Sequence, residues 1–149
     1  MTAVENALRV LLIAEDDDDD RLLIAKALQH AKIPLETRFV FDGEELMEYL
    51  TRQGKYRDAP APRPSLILLD LRMPRMDGLV ALRTIKSNPQ LREIPIVMLT
   101  TSQMDEDAQE AYLSGANAYI TKPSTIAELS QVARAIRDHW FSVVTLPPI

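Results

Sequence analysis

Asp70 closes an apolar run, Ser65-Leu66-Ile67-Leu68-Leu69-Asp70, and is followed at once by Leu71-Arg72-Met73-Pro74. A short buried strand that ends in a lone acid and then meets a proline sets that acid in the crevice where open α/β sheets take ligands. Other apolar runs end in polar groups too: Glu15-Asp16 after the first, Thr100 after residues 94–100, and Lys122 after residues 118–121. In a parallel sheet these ends share one edge, so residues scattered in sequence can converge. Carboxylates about 4 Å apart repel by about 1 kcal/mol per pair in water and about 4 kcal/mol at an effective dielectric near 20. A hard divalent cation relieves that repulsion, and an oxygen-only ligand set without cysteine suits Mg²⁺. With Mg²⁺ on Asp16 and Asp70, a free oxygen of Asp70 can attack phosphorus. The cation and Lys122 would neutralise the equatorial oxygens, and the Thr100 hydroxyl would donate to them. Gly43, Gly54, Gly78 and Gly115 are dispersed and make neither a phosphate loop nor a dinucleotide pattern. The phosphoryl donor is therefore read as another protein or a small phosphoanhydride.

The elements that must position these groups follow from hydrophobic period and punctuation. Residues 9–14 form a continuous apolar run, as expected of a strand buried on both faces. Leu22, Leu23, Ala25, Ala27 and Leu28 recur at helical spacing, and Pro34 closes this first unit. A second strand is expected over 37–41, then a helix capped by Asp42 and carrying Leu46, Met47, Tyr49 and Leu50. The proline-rich stretch 54–64 reads as a surface loop before the Asp70 strand. After Asp77-Gly78 a helix presents Leu79, Leu82 and Ile85 and stops at Asn88-Pro89; a fourth strand follows over 94–100. Ser102-Gln-Met-Asp105 reads as a capping box opening the next helix, which Gly115 ends. A fifth strand spans 118–121, and Thr125-Ile-Ala-Glu128 caps a last helix with Ile126, Leu129, Val132, Ala133 and Ile136 on one face. Strands and helices alternating in this way imply an α/β fold, a mostly parallel sheet covered on both faces.

Bulk properties narrow the class. The chain has 149 residues, 46% of them hydrophobic and 26% charged, as in a globular domain that buries its own core. No apolar run reaches the roughly 20 residues of a membrane helix, and the N-terminus lacks signal-peptide features, so a cytoplasmic location is expected. The net charge of −5 argues against a nucleic-acid surface. That acidity is local: Glu15-Asp16-Asp17-Asp18-Asp19-Asp20 supplies it, and the remainder is close to neutral. Asp17, Asp18 and Asp19 read as a solvated helix start favoured by the helix dipole, whereas Asp20 reads equally as a surface residue or as support behind the site. A calcium loop does not fit, because Arg21 and Ala27 stand where glycine and glutamate would be needed. His30 and His139 are isolated and carry no ligand role.

Taken jointly, Glu15-Asp16, the run from Leu69-Asp70-Leu71-Arg72-Met73-Pro74 to Asp77-Gly78, Leu99-Thr100-Thr101 and Lys122-Pro123 make residues 9–139 resemble the receiver domains of bacterial two-component response regulators. The resemblance implies a single doubly wound (βα)5 domain over residues 1–139, with a flavodoxin-like parallel sheet of order 2-1-3-4-5. It also implies that Asp70 accepts a phosphoryl group from a phosphohistidine of a sensor histidine kinase. Glu15, Asp16, Asp70 and the backbone carbonyl of Arg72 would organise Mg²⁺, and Lys122 would pair with the phosphoaspartate. Thr100 and Tyr119 match the family's switch pair, read out on the face of the fourth helix, fifth strand and fifth helix. Arg72 and Thr101 depart from the commonest choices beside the site, which leaves the lifetime of the phosphorylated state open.

The ending from His139-Trp140-Phe141 through Pro148-Ile149, with the Gly54-Lys55-Tyr56 loop and Leu99-Thr100-Thr101-Ser102, resembles the stand-alone regulators of bacterial and cyanobacterial phytochrome kinases. A kinase of bacteriophytochrome type is the partner this implies, with no output domain. Trp140, Phe141, Val143, Val144, Leu146 and Ile149 make residues 140–149 an apolar extension that must fold back on the domain or meet another chain; a homodimer using the output face and this extension is expected. Two other functions compete with this reading. A haloacid-dehalogenase-like phosphatase also uses a strand-end aspartate, but needs a general acid two residues on, where this chain has Arg72. A phosphorylation-independent interaction module would be indifferent to Mg²⁺ and beryllofluoride.

Overall fold

The computed structural model describes residues 9–143 and 145–147. Its elements run β1 (Val10–Ala14), α1 (Asp18–Ala31), β2 (Glu36–Val40), α2 (Gly43–Thr51), β3 (Leu66–Leu69), α3 (Gly78–Ser87), β4 (Ile96–Thr100), α4 (Asp105–Leu113), β5 (Ala118–Thr121) and α5 (Ile126–Asp138). The five strands are all parallel in the order β2-β1-β3-β4-β5. This is the doubly wound (βα)5 arrangement.

Strand side chains alternate between the two faces, and each face has its own helices. Leu12, Ala14, Ile67, Leu69, Ile96 and Met98 meet Leu46, Tyr49, Leu82, Ile85 and Ala111 of α2, α3 and α4. Leu11, Ile13, Leu66, Leu68, Val97 and Leu99 meet Ile24, Leu28, Leu129, Ala133 and Ile136 of α1 and α5. Burial on both faces explains why β1, β3 and β4 read as unbroken apolar runs. Arg137 ties α5 to the end of α1 by donating to the Ala31 carbonyl at 2.6 Å.

Several local expectations hold, each with an identifiable partner. Asp42 accepts from the Glu45 amide and Thr125 from the Glu128 amide, so both act as N-caps. Asn88 ends α3, and Gly115, at φ 108°, follows the last turn of α4 in the left-handed region that glycine permits.

Other expectations are corrected. The second strand lies one residue earlier than 37–41, because its pairing with β1 runs out at Ala14 opposite Val40. Phe41 therefore leaves the sheet, and the Arg21 guanidinium stands 3.7 Å from its ring centroid. The fourth strand begins at Ile96 and not at residue 94, since Pro95 has no N–H to give the ladder; its carbonyl still accepts from the Ile67 amide. Leu22 is exposed, because Ile24, Ala27, Leu28 and Ala31 form the stripe that faces the sheet. The capping box at Ser102 does not form: α4 opens on Met104 without a side-chain cap, and the Ser102 hydroxyl is directed to Asp107.

Past α5 the chain turns through a π-type segment, His139–Val143. Trp140 and Phe141 pack, half-buried, against the α1/α5 side of the core in the same chain. Val144 and Ile149 and the side chain of Val143 lie outside what is described; Leu146 is half-buried.

The loop after β3 is held by close packing. A Cβ at Gly78 would stand 2.0 Å from the Asp70 carbonyl oxygen, and one at Gly43 would stand 2.1 Å from the Met76 carbonyl oxygen. Arg75, left-handed at φ 65°, is pinned by both its Nε and a terminal nitrogen, each 2.8 Å from Asp42 Oδ2. In an open helix, alanine in place of Gly78 would add about 1 kcal/mol of stability. Here Gly78→Ala is expected to destabilise by about 1–3 kcal/mol, because backbone must move, and urea denaturation with an unchanged m-value checks it.

Candidate functional site

The ladder continues past the strand ends and sets the site. Ala14 is opposite Leu69, and the Asp70 amide donates to the Ala14 carbonyl at 3.1 Å, so Glu15 and Asp70 emerge side by side. The Lys122 amide donates to the Thr100 carbonyl at 2.6 Å and brings the fifth strand's end to the fourth. Strand parity then sorts the side chains. Glu15, Asp70 and Lys122 continue the sequence alternation of the α1/α5 face, whereas Thr100 and Tyr119 continue that of the α2–α4 face.

On the first side, ligand oxygens of Glu15, Asp16 and Asp70 lie within 4.8 Å of one another. Glu15 and Asp70 are buried and Asp16 is exposed, so the cluster reaches solvent through Asp16. Lys122 stands among the acids, its Nζ 2.5 Å from Glu15, 2.9 Å from Asp20 and 3.6 Å from Asp70. Burial alone would lower the lysine pKa, but hydrogen bonds to Glu15 and Asp20 and the charge of Asp70 outweigh it and raise it, so Lys122 stays cationic. Burial pushes the Glu15 carboxyl from its ordinary 4.5 up to about 7; the hydrogen bond from Lys122 opposes this and the negative charge of Asp70 adds to it. The acids outnumber the single lysine, so the cluster retains excess negative charge. Hard oxygen donors, two buried and one open, suit a divalent cation with room for waters or a further oxygen ligand.

On the second side, Thr100 is fully buried and its Oγ1 accepts from the Ser102 amide at 3.4 Å. Tyr119 is half-buried, its hydroxyl donating to the Ser102 carbonyl at 3.2 Å. Thr100 and Tyr119 therefore converge on Ser102. The Arg72 amide donates to Asp70 Oδ1 at 3.4 Å, and the Arg72 guanidinium pairs with Asp107 at 3.2 Å. A general acid is thus missing from the position a strand-end phosphatase would require.

The structure brings together Glu15, Asp16, Asp70 and Lys122 from the sequence expectation, with Thr100 at the adjoining strand end. It separates Asp17, Asp18 and Asp19, which stand exposed at the start of α1, with Asp17 as its N-cap. Asp20 proves to be the supporting residue, through its ion pair to Lys122. Sequence reasoning missed Asp107, whose ion pair with Arg72 spans more than thirty residues and leaves no local signal, and read Ser102 as a cap where its hydroxyl bonds Asp107.

A family model for the response regulator receiver domain matches residues 11–134. The response regulator Rcp1 of Synechocystis sp. is 38% identical over 147 residues, 99% of each chain. The crystal structure of the phosphorylated cyanobacterial phytochrome response regulator RcpA superposes with a TM-score of 0.85 at 40% identity, covering 94% of this chain and 99% of that one. The Mn²⁺-bound form of Rcp1 gives the same TM-score, 0.85, at 38% identity, with 94% and 99% covered.

The raised carboxyl at Glu15 sets a pH dependence. The folded state holds this proton more tightly than the unfolded chain, so without a cation stability falls as pH rises from about 4.5 toward 7. A divalent cation held by Glu15 must displace the same proton, so its binding is expected to tighten as pH rises through 7 and to level off above it. Isothermal titration between pH 6 and 8 should show a loss of up to about tenfold per unit below 7; a flat profile would remove Glu15 from the ligand set.

Proposed function

The chain belongs to the response regulator receiver domain family, and on that premise we propose that it takes a phosphoryl group on Asp70 from a sensor histidine kinase and passes the signal on through protein contacts. The observation that carries this reading is the convergence of Glu15, Asp16 and Asp70 at one edge of the sheet, with the Lys122 ammonium against Glu15 and Asp70. Family and fold mark a signalling protein and not a conventional enzyme; the transfer chemistry itself belongs to the proposal.

In the transfer, an oxygen of the Asp70 carboxylate attacks phosphorus as the bond to the kinase imidazole nitrogen breaks, and the imidazole departs with that electron pair. Glu15, Asp16, Asp70 and the Arg72 carbonyl are the residues that would hold Mg²⁺, which when bound neutralises phosphoryl oxygens. Lys122 supplies a second positive charge from within the chain. Its ion pair with Asp70 is longer than those with Glu15 and Asp20, so an anion added to Asp70 would compete with them for the ammonium. The Thr100 hydroxyl, at the next strand end, would donate to a phosphoryl oxygen, and Tyr119 would respond through their shared contact at Ser102.

A bacteriophytochrome-type kinase is the partner we assign, on the likeness to regulators named for phytochromes over nearly the whole chain. A cytoplasmic site of action fits that partner, and among the described residues no helix is long and apolar enough to cross a membrane. We assign a homodimer that uses the α4-β5-α5 face and residues 140–149. Tyr112 and Leu113, exposed on α4, support that surface. Nothing in the charge distribution favours nucleic acid.

Asp70→Asn is expected to abolish labelling of the chain by phosphorylated kinase or by acetyl phosphate with Mg²⁺; undiminished labelling, read by intact mass, would overturn Asp70 as acceptor. Truncation after Phe141 keeps the residues that pack within the chain and removes the rest of the extension. Light scattering is expected to show the dimer of the full chain reduced to monomer, and an unchanged mass would refute the extension's part in it.

A further inference from the structure

Asp107 lies in the first turn of α4 among consecutive acids, yet one of its oxygens is fully engaged. Oδ2 accepts from the Ser102 hydroxyl at 2.5 Å and from the Arg72 guanidinium at 3.2 Å. Arg72 stands two residues beyond Asp70, its amide turned to the Asp70 carboxylate. Ser102 stands two residues beyond Thr100, meets the Thr100 hydroxyl oxygen with its amide and takes the Tyr119 hydroxyl on its carbonyl. A single carboxylate oxygen therefore joins the loop that carries the acceptor to the segment that carries Thr100 and anchors Tyr119.

The bridge is built to be displaced. The Arg72 side chain is 69% exposed, and ion pairs this exposed are weak. A guanidinium can grip phosphoryl oxygens with two parallel donors, whereas Arg72 meets Asp107 through a terminal nitrogen at 3.2 Å. A phosphoryl group on Asp70 would place about −1.5 to −2 charges only two residues from Arg72. We propose that Asp107 is a positioning residue for the acceptor site: it holds the Arg72 guanidinium beside α4 until an anion on Asp70 competes for it. Departure of Arg72 leaves the Asp107–Ser102 contact without its cation and loosens the segment to which Tyr119 is anchored. This inference rests on Asp70 as the acceptor.

The test uses the full chain, Mg²⁺ and beryllofluoride as the anionic probe. Asp107→Asn removes the charge but keeps an oxygen for Ser102, and is expected to tighten beryllofluoride binding about threefold at low salt, less at high salt. Placed on Arg72→Ala, which preserves the backbone carbonyl, the same change is expected to have no effect. No tightening in Asp107→Asn, or equal tightening with Arg72 absent, would overturn the proposal. Hydrogen exchange supplies a second readout: residues 102–107 should exchange faster when beryllofluoride is added to the native chain, and be already fast and unresponsive in Arg72→Ala. If the native chain fails to bind beryllofluoride, the acceptor reading fails by itself. The bridge is then judged on exchange without probe, where faster exchange in each single variant and no more in the double variant supports it, and unchanged exchange refutes it.

Discussion

Repulsion among carboxylates gathered at one edge of the sheet is the constraint on which the rest of this structure depends. Glu15 and Asp70 are buried side by side with Asp16 at their rim, and among the described residues the Lys122 ammonium is the cation that stands against them. Breaking such a set by removing its cation would leave buried charges unpaired, a larger penalty than the pairing itself contributes. The arrangement is thus poised: short of positive charge, it favours whatever brings more, whether a proton on Glu15 or a divalent cation. The same deficit that makes the site responsive makes it locally unfavourable for folding.

The remainder of the domain supplies what that site subtracts. Two apolar layers, one on each face of the sheet, cover β1, β3 and β4 completely, and these are the strands that deliver Glu15, Asp70 and Thr100. Alternation along each strand does more than bury side chains. It directs Glu15, Asp70 and Lys122 toward the α1/α5 layer, where Asp20 waits on α1, and directs Thr100 and Tyr119 toward α4. The charged half of the site and its hydroxyl half are thereby separated by the sheet's own geometry, meeting only at the strand ends.

The loop between β3 and α3 links those halves. Gly78 and Gly43 allow backbone to approach so closely that no side chain fits, and the Arg75–Asp42 pair holds the loop against the start of α2. The loop is thus closely packed on its α2 side. On its α4 side it is tied by an exposed ion pair from Arg72 to Asp107, a weak contact that a change of charge at Asp70 can disturb.

Most of the fold and the central site could be read directly from the chain, because both rest on local patterns. Apolar runs ending in acids, a threonine or a lysine mark strand ends, and a parallel sheet brings such ends to one edge whatever their separation. The caps at Asp42 and Thr125 were equally legible, since capping is a contact between residues three apart. Where reading failed, a contact outside the local pattern had decided the outcome: pairing with β1 set where β2 ends and so left Phe41 outside it, and Asp107, itself drawn to Arg72, took the Ser102 hydroxyl away from the cap. The sequence by itself determined which residues form the charged site, because side-chain type and strand period suffice for that. Only the tertiary structure decided that Asp20 supports Lys122, that Trp140 and Phe141 pack within their own chain, and that Arg72 belongs to α4, because each is a long-range contact whose geometry exists only once the layers have packed.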